Sequence, residues 1–263
     1  MELEIVSKET IKPKSSTLPE LKNVPLSLFD QQAPYMYIHL LYFYHNHNIN
    51  DSNRSWQLLK DSLSKVLTFY YPFAGRLRDG GNSIDCNDMG AIVSEAKLQC
   101  SLSEFMNNFN SECEKILKLT FFYDINDEKD QRLKPLLCVQ LTQFECGGEV
   151  MLVLCSHKVA DMASLTNLMN DWAFIARSSG NGNPPTLSPP QFNAASFFPS
   201  ELDNDGEDSS TERHEEIVSS KRFVFEGPMI EALKGMVSEK VKNPTRVQLL
   251  AAFIYKVALS AKE

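Results

Sequence analysis

Glu149-Val150-Met151-Leu152-Val153-Leu154-Cys155, followed by Ser156-His157-Lys158-Val159-Ala160-Asp161, is the stretch on which the fold turns. Val150, Leu152 and Leu154 alternate with Met151 and Val153, and all five are apolar, so a strand here is covered on both faces. Beyond it, Leu165, Leu168, Met169, Trp172 and Ile175 recur at spacings of three and four, which predicts an amphipathic helix over Met162 to Arg177. His157 therefore falls at a strand-to-helix corner, where a side chain can face a cleft while the elements behind it stay rigid.

A histidine four residues before an aspartate is, by itself, a weak signal. His157 is open to two readings: a strand-end histidine hydrogen-bonded to backbone, or a general base. An unperturbed imidazole titrates near neutrality, so it can take a proton from a hydroxyl and pass it to a leaving group, a contribution of roughly 10²–10⁴-fold.

The 263 residues suffice for one large domain, or one domain and part of another. The formal net charge of −8, with no basic stripe to offset it, argues against a nucleic-acid or anionic-membrane partner. Cys86, Cys100, Cys113, Cys138, Cys146 and Cys155 form no Cys-x-x-Cys pair, so neither a zinc ribbon nor a disulfide framework is indicated. The first residues are charged and lack a signal-peptide core, so a cytoplasmic location is expected, and the sequons at Asn50 and Asn53 are read as accidental. Met36 to Tyr44 is too short to span a bilayer and suits a strand.

Working outward, residues 3–12 read as an edge strand and Trp56 to Phe69 as an amphipathic helix, capped by Asp51 or Ser52 and stopped at Tyr71-Pro72. A hairpin is predicted through Asp79-Gly80-Gly81, a strand at Ala91 to Leu98, and a pairing of Leu136 to Phe144 with Glu149 to Cys155 through Cys146-Gly147-Gly148. Residues 178–190 are rich in Ser, Gly, Asn and Pro, and 201–216 hold eight acidic side chains of irregular spacing, which fits a solvated crossover better than a metal site. Strand character returns at Lys221 to Phe225, and Met229 to Val241 reads as a helix with Pro228 in its first turn. Thr245-Arg246-Val247-Gln248 has the form of a capping box, and Val247, Leu250, Ala251, Ile254 and Val257 give the following helix an apolar face that needs covering.

In this order, the segments resemble the BAHD family of plant acyl-CoA-dependent acyltransferases, most closely the alkaloid-acetylating branch that includes vinorine synthase and salutaridinol acetyltransferase. Ser7 to Pro13 is similar to the family's first strand and Leu26-Ser27-Leu28-Phe29-Asp30 to its Leu-Ser-x-x-Asp segment. Tyr71-Pro72-Phe73-Ala74-Gly75-Arg76-Leu77, Asp85 to Asp88, Phe144 to Gly148, Ser156 to Asp161 and Lys221 to Phe225 complete the match. The family's second signature, Asp-Phe-Gly-Trp-Gly, has no counterpart, so the resemblance is to the N-terminal portion.

The resemblance implies an α/β (α+β) fold: a chloramphenicol-acetyltransferase-like domain with a mixed β-sheet flanked by helices, plus the start of a second similar domain. It divides the chain into an N-terminal domain (1–177), a crossover loop (178–218) and the opening of the second domain (219–263). It implies acyl transfer, acetyl by preference, from acyl-CoA as co-substrate to a hydroxyl of an alkaloid or related metabolite. His157 would be the base and Asp161 a structural group paired with an arginine of the second domain. No bound cofactor or metal is expected, the CoA-binding residues fall mostly in the second domain, and the full-length form would be a monomer. The alternative is a catalytically incomplete fragment or pseudoenzyme that only binds. Cys155 as nucleophile and His45-x-His47 as a metal pair are weaker than a buried thiol and a polar loop, and Arg76 and Asp30 are read as structural groups, as partners in an ion pair.

Overall fold

The computed structural model describes residues 3–45, 52–108, 133–178, 187, 190–200 and 223–261. It falls into two compact units, residues 1–218 and 219–263.

In the first unit, the strands are β1 (Leu3–Ile11), β2 (Asn23–Pro25), β3 (Tyr37–Tyr44), β4 (Arg76–Leu77), β5 (Ser83–Asp85), β6 (Ala91–Leu98), β7 (Leu137–Phe144) and β8 (Glu149–Ser156). The helices are α1 (Leu28–Gln32), α2 (Ser52–Phe69), α3 (Leu102–Asn108), α4 (Met162–Ser178) and α5 (Ala194–Phe197). A five-stranded sheet runs in the order β1-β6-β7-β8-β3, and β2, β5 and β4 form a smaller one. Within the larger sheet β6 and β7 are parallel and the other neighbours antiparallel, so the sheet is mixed as expected.

Both predicted hairpins are present. Gly147, at φ 81°, turns β7 into β8, and Gly80 and Gly81, at φ 79° and 65°, turn β4 toward β5, conformations that cost glycine little. β8, apolar from Val150 to Cys155, is indeed buried on both faces along that run. Met151, Val153 and Cys155 pack with Leu63, Val66 and Leu67 of α2 and Leu165, Leu168 and Trp172 of α4. Leu152 and Leu154 pack on the other face with Cys138. Polar ties align the two helices: the Trp172 indole N–H donates to the Ser62 hydroxyl (2.9 Å) and the Tyr70 hydroxyl to Asp171 (2.7 Å). Lys60 of α2, largely buried, binds Glu9 of β1 and Glu95 of β6.

In residues 219–263 the elements are α6 (Gly227–Val237) and α7 (Arg246–Ser260). The capping box of α7 is formed: the Gln248 N–H donates to the Thr245 hydroxyl (3.2 Å) and the Thr245 N–H to the Gln248 side chain (2.9 Å). Two expectations are corrected. Phe223 to Glu226 are irregular rather than a strand, because a strand needs a neighbour to pair with and none occurs among the described residues of this unit. The helix after Pro228 ends at Val237 and gives way to a turn over 238–240. Asp51, His47 and the acidic run of 201–216 lie outside the described residues.

Candidate active site

The strand alternation ends at Ser156, and residues 157–159 form a turn between β8 and α4. Three backbone-anchored contacts hold it. The His157 N–H donates to the Met36 carbonyl beside β3 (2.8 Å), the Ser156 N–H to the Leu136 carbonyl beside β7 (2.9 Å), and the Val159 N–H closes back on Ser156 (3.1 Å). His157 is thus pinned at the sheet rim through its main chain, which leaves the imidazole free of any structural duty. It is partly buried, and Nδ1 is enclosed with no hydrogen-bond partner among the described residues.

Asp161 closes the other end of the turn. Its Oδ1 accepts the Ser164 N–H (2.7 Å) and its carbonyl the Leu165 N–H (3.0 Å), so it is the N-cap of α4. The Ser164 backbone N–H, ahead of the Ser164 hydroxyl, holds the Asp161 carboxyl below the usual carboxylate range. The residue is exposed and its carboxylate is spent on the Ser164 N–H, so its work in this unit is to start the helix.

Lys158 was not singled out by the sequence, and a lysine inside a turn would ordinarily be solvated. It is 3% exposed. Its Nζ donates to the Gln31 carbonyl at the end of α1 (2.6 Å) and lies 4.2 Å from the Tyr35 ring centroid. Burial pushes its pKa down while the nearby Asp30 carboxylate pulls it up. Lys158 therefore staples the turn to α1. With Val159 it also walls a cavity of about 200 Å³ beneath the turn, which His157 does not line.

The expected Arg76–Asp30 ion pair is not formed. Arg76 is buried and its Nη1 donates to the carbonyls of Gly75 (2.7 Å) and Gly90 (2.9 Å), whereas Asp30 closes the capping box of α1 with Ser27. Asp30 is met by Ser27 and the Arg76 Nη1 by two carbonyls, although Arg76 Nε has no partner among the described residues. Gly75 is required for this packing, since a Cβ there would stand 2.5 Å from the Asp85 carbonyl oxygen. Cys155 is fully buried in the core against α2 and α4, and burial pushes its thiol far up, so it is no nucleophile. Among the described residues, His39 and His45 included, no group of three His, Cys, Asp or Glu side chains is placed to hold a metal.

This corner has relatives. The model of the family described as Transferase matches residues 1–263. The chain is 35% identical to 17,18-epoxy-17-hydroxycur-19-ene N-malonyltransferase of Strychnos nux-vomica over 99% of its own length and 54% of that protein's. It is 30% identical to salutaridinol 7-O-acetyltransferase of Papaver somniferum, over 98% of this chain and 59% of that one. The crystal structure of vinorine synthase superposes with a TM-score of 0.74 at 35% identity, covering 97% of this chain and 60% of that one. The chain thus spans little more than half the length of these relatives. With the family match running over every residue and its resemblance carried into three dimensions, the chain belongs to the Transferase family, that of the BAHD acyltransferases.

Proposed function

We propose that this chain is the N-terminal part of an acyl-CoA-dependent O-acyltransferase in which His157 is the general base. One observation carries the proposal: the His157 main chain is clamped to Met36 while its imidazole has no structural partner, the arrangement expected of a side chain kept for chemistry. His157 takes the proton of the acceptor alcohol, the alkoxide attacks the thioester carbonyl of acyl-CoA, and the tetrahedral intermediate collapses to ester and free CoA. The thiolate leaves readily, so the work of the site is alcohol activation and support of the oxyanion. For Nε2 to accept a proton, Nδ1 must carry one, and that N–H needs an acceptor that the described residues do not supply.

Acetyl-CoA as donor, and an alkaloid or related specialised metabolite as acceptor, are the substrates favoured by salutaridinol 7-O-acetyltransferase among the relatives; the N-malonyltransferase names the alternatives of acyl group and acceptor atom. Asp161 acts at the site as a structural residue, by starting α4. The domain division proposed is 1–177, 178–218 and 219–263, the last opening a second domain; the compact units divide at 218 and 219, and the relatives are much longer than this chain. A cytoplasmic monomer is the proposed working form. Among the described residues no helix is long and apolar enough to cross a membrane.

The test is release of free CoA from acetyl-CoA in the presence of a panel of alkaloid and phenolic alcohols, with the longest available form of the protein. His157→Ala is expected to lower alcohol-dependent release by about 10²–10⁴-fold while leaving the circular dichroism unchanged. Full activity of His157→Ala sinks the assignment.

A further inference from the structure

Glu149 opens β8 at the end opposite His157, about 25 Å away along the strand. Its register places it on one face with Met151, two residues on, and directly opposite Tyr44 of β3. On this face a cavity of about 280 Å³ opens between the first turns of α2 and the sheet. Its floor is apolar: Trp56 and Leu59 from α2, and Leu141 and Met151 from β7 and β8. Tyr44 and Leu58, 48% and 41% exposed, form its rim. Besides the hydroxyls of Ser55 and Tyr44, one acidic group interrupts this lining. Glu149 Oε1 is buried and has no hydrogen-bond partner among the described residues.

Glu149 as a whole is half-buried, but a carboxylate oxygen enclosed beside apolar side chains is costly unless a donor meets it. Lys60, one turn along α2 from Trp56, cannot serve, because Glu9 and Glu95 already hold it. What would satisfy the oxygen is a ligand with a positively charged N–H and a flat apolar body, since Trp and Tyr faces also attract cations. Apolar cavities of roughly 150 Å³ take up benzene, so a larger aromatic amine has room here.

We propose that this cavity is a second binding site, remote from His157, for a small protonated aromatic amine, with Glu149 as counter-ion and Trp56 and Tyr44 as the surfaces it rests on. The site is independent of the acyl-transfer assignment.

Isothermal titration calorimetry of the 263-residue chain with 2-naphthylmethylamine, and with 2-naphthylmethanol as its neutral analogue of the same shape, tests this. Saturable binding of the amine is expected, at least about tenfold tighter than the alcohol, from one charge-assisted hydrogen bond. Glu149→Gln brings the amine down to the alcohol's affinity, and Leu58→Arg, which sets a competing cation at the exposed rim, weakens the amine selectively. His157→Ala leaves both affinities unchanged. No saturable amine binding, equal binding of the two probes, amine binding untouched by Glu149→Gln, or loss of amine binding in His157→Ala would each overturn the site. Circular dichroism of each variant confirms that it is folded, and the two substitutions, at different positions, check one another.

Discussion

α4 and α7 carry nearly the same message in sequence, apolar residues at helical spacing, yet they live in different surroundings. In α4, Leu165 and Leu168 are wholly buried and Trp172 and Ile175 nearly so, all against the sheet and α2. In α7 only Leu249 is buried, while Val247 is 75% and Ile254 55% exposed. Periodicity states which face of a helix is apolar; it does not state whether anything lies against that face. The turn that bears His157 is rigid because α4 belongs to the first kind.

Core truncation breaks or upholds this contrast most sharply. Leu168→Ala is expected to destabilise the first unit by about 2–5 kcal/mol, through lost burial and the cavity left behind. Ile254→Ala should stay within about 0.5 kcal/mol, as an exposed substitution does. Urea unfolding followed by circular dichroism and tryptophan fluorescence measures both, and equal costs would erase the distinction. The same exposed face should drive self-association, so Ile254→Lys is expected to raise the monomer fraction in size-exclusion chromatography, whereas a polar change at Leu168 should lower it.

The caps give a smaller difference. Asp161→Ala removes the N-cap of α4 and should cost about 0.5–2 kcal/mol, and Thr245→Ala removes that of α7. Only the first is felt in the tertiary fold, so its near-ultraviolet circular dichroism should change and that of Thr245→Ala should not. The Asp161 carboxyl is held below its unfolded value, so its stabilisation is full above about pH 4 and drains away as pH falls through the folded value. Urea midpoints between pH 6 and pH 3 should therefore fall less in Asp161→Asn than in the parent. The smallest effect is at the imidazole itself. With Nδ1 enclosed and lacking an acceptor, the neutral ring should carry its proton on Nε2, which nitrogen-15 shifts of His157 would report; an Nδ1–H tautomer would point to an acceptor already in place.

Much of the site's frame was legible because it is local. The glycine turns at 80–81 and 147, the two-faced burial of β8, and the helix after Asp161 follow from residues a few positions apart. Partner choice was not legible. Arg76 and Asp30 looked like ion-pair partners, and each found nearer company in backbone carbonyls and a serine; Lys158 gave no signal at all in the sequence, and it is buried on Gln31 and Tyr35. Lys221 to Phe225 looked like a strand, yet Phe223 to Phe225 are irregular and lie beside no strand among the described residues of their unit.

By itself, the amino-acid sequence determined the strands of the larger sheet, the helices α2, α4 and α7, the corner at His157, and the family, since an ordered set of segments survives without knowledge of contacts. Only the tertiary structure decided that β6 pairs in parallel with β7, that Asp161 caps α4, that Nδ1 of His157 is left without an acceptor, and that Glu149 faces an apolar cavity. The reason is physical: backbone propensity and hydrophobic period act between near neighbours, whereas the cost of burying a charge or an N–H depends on groups brought from far along the chain.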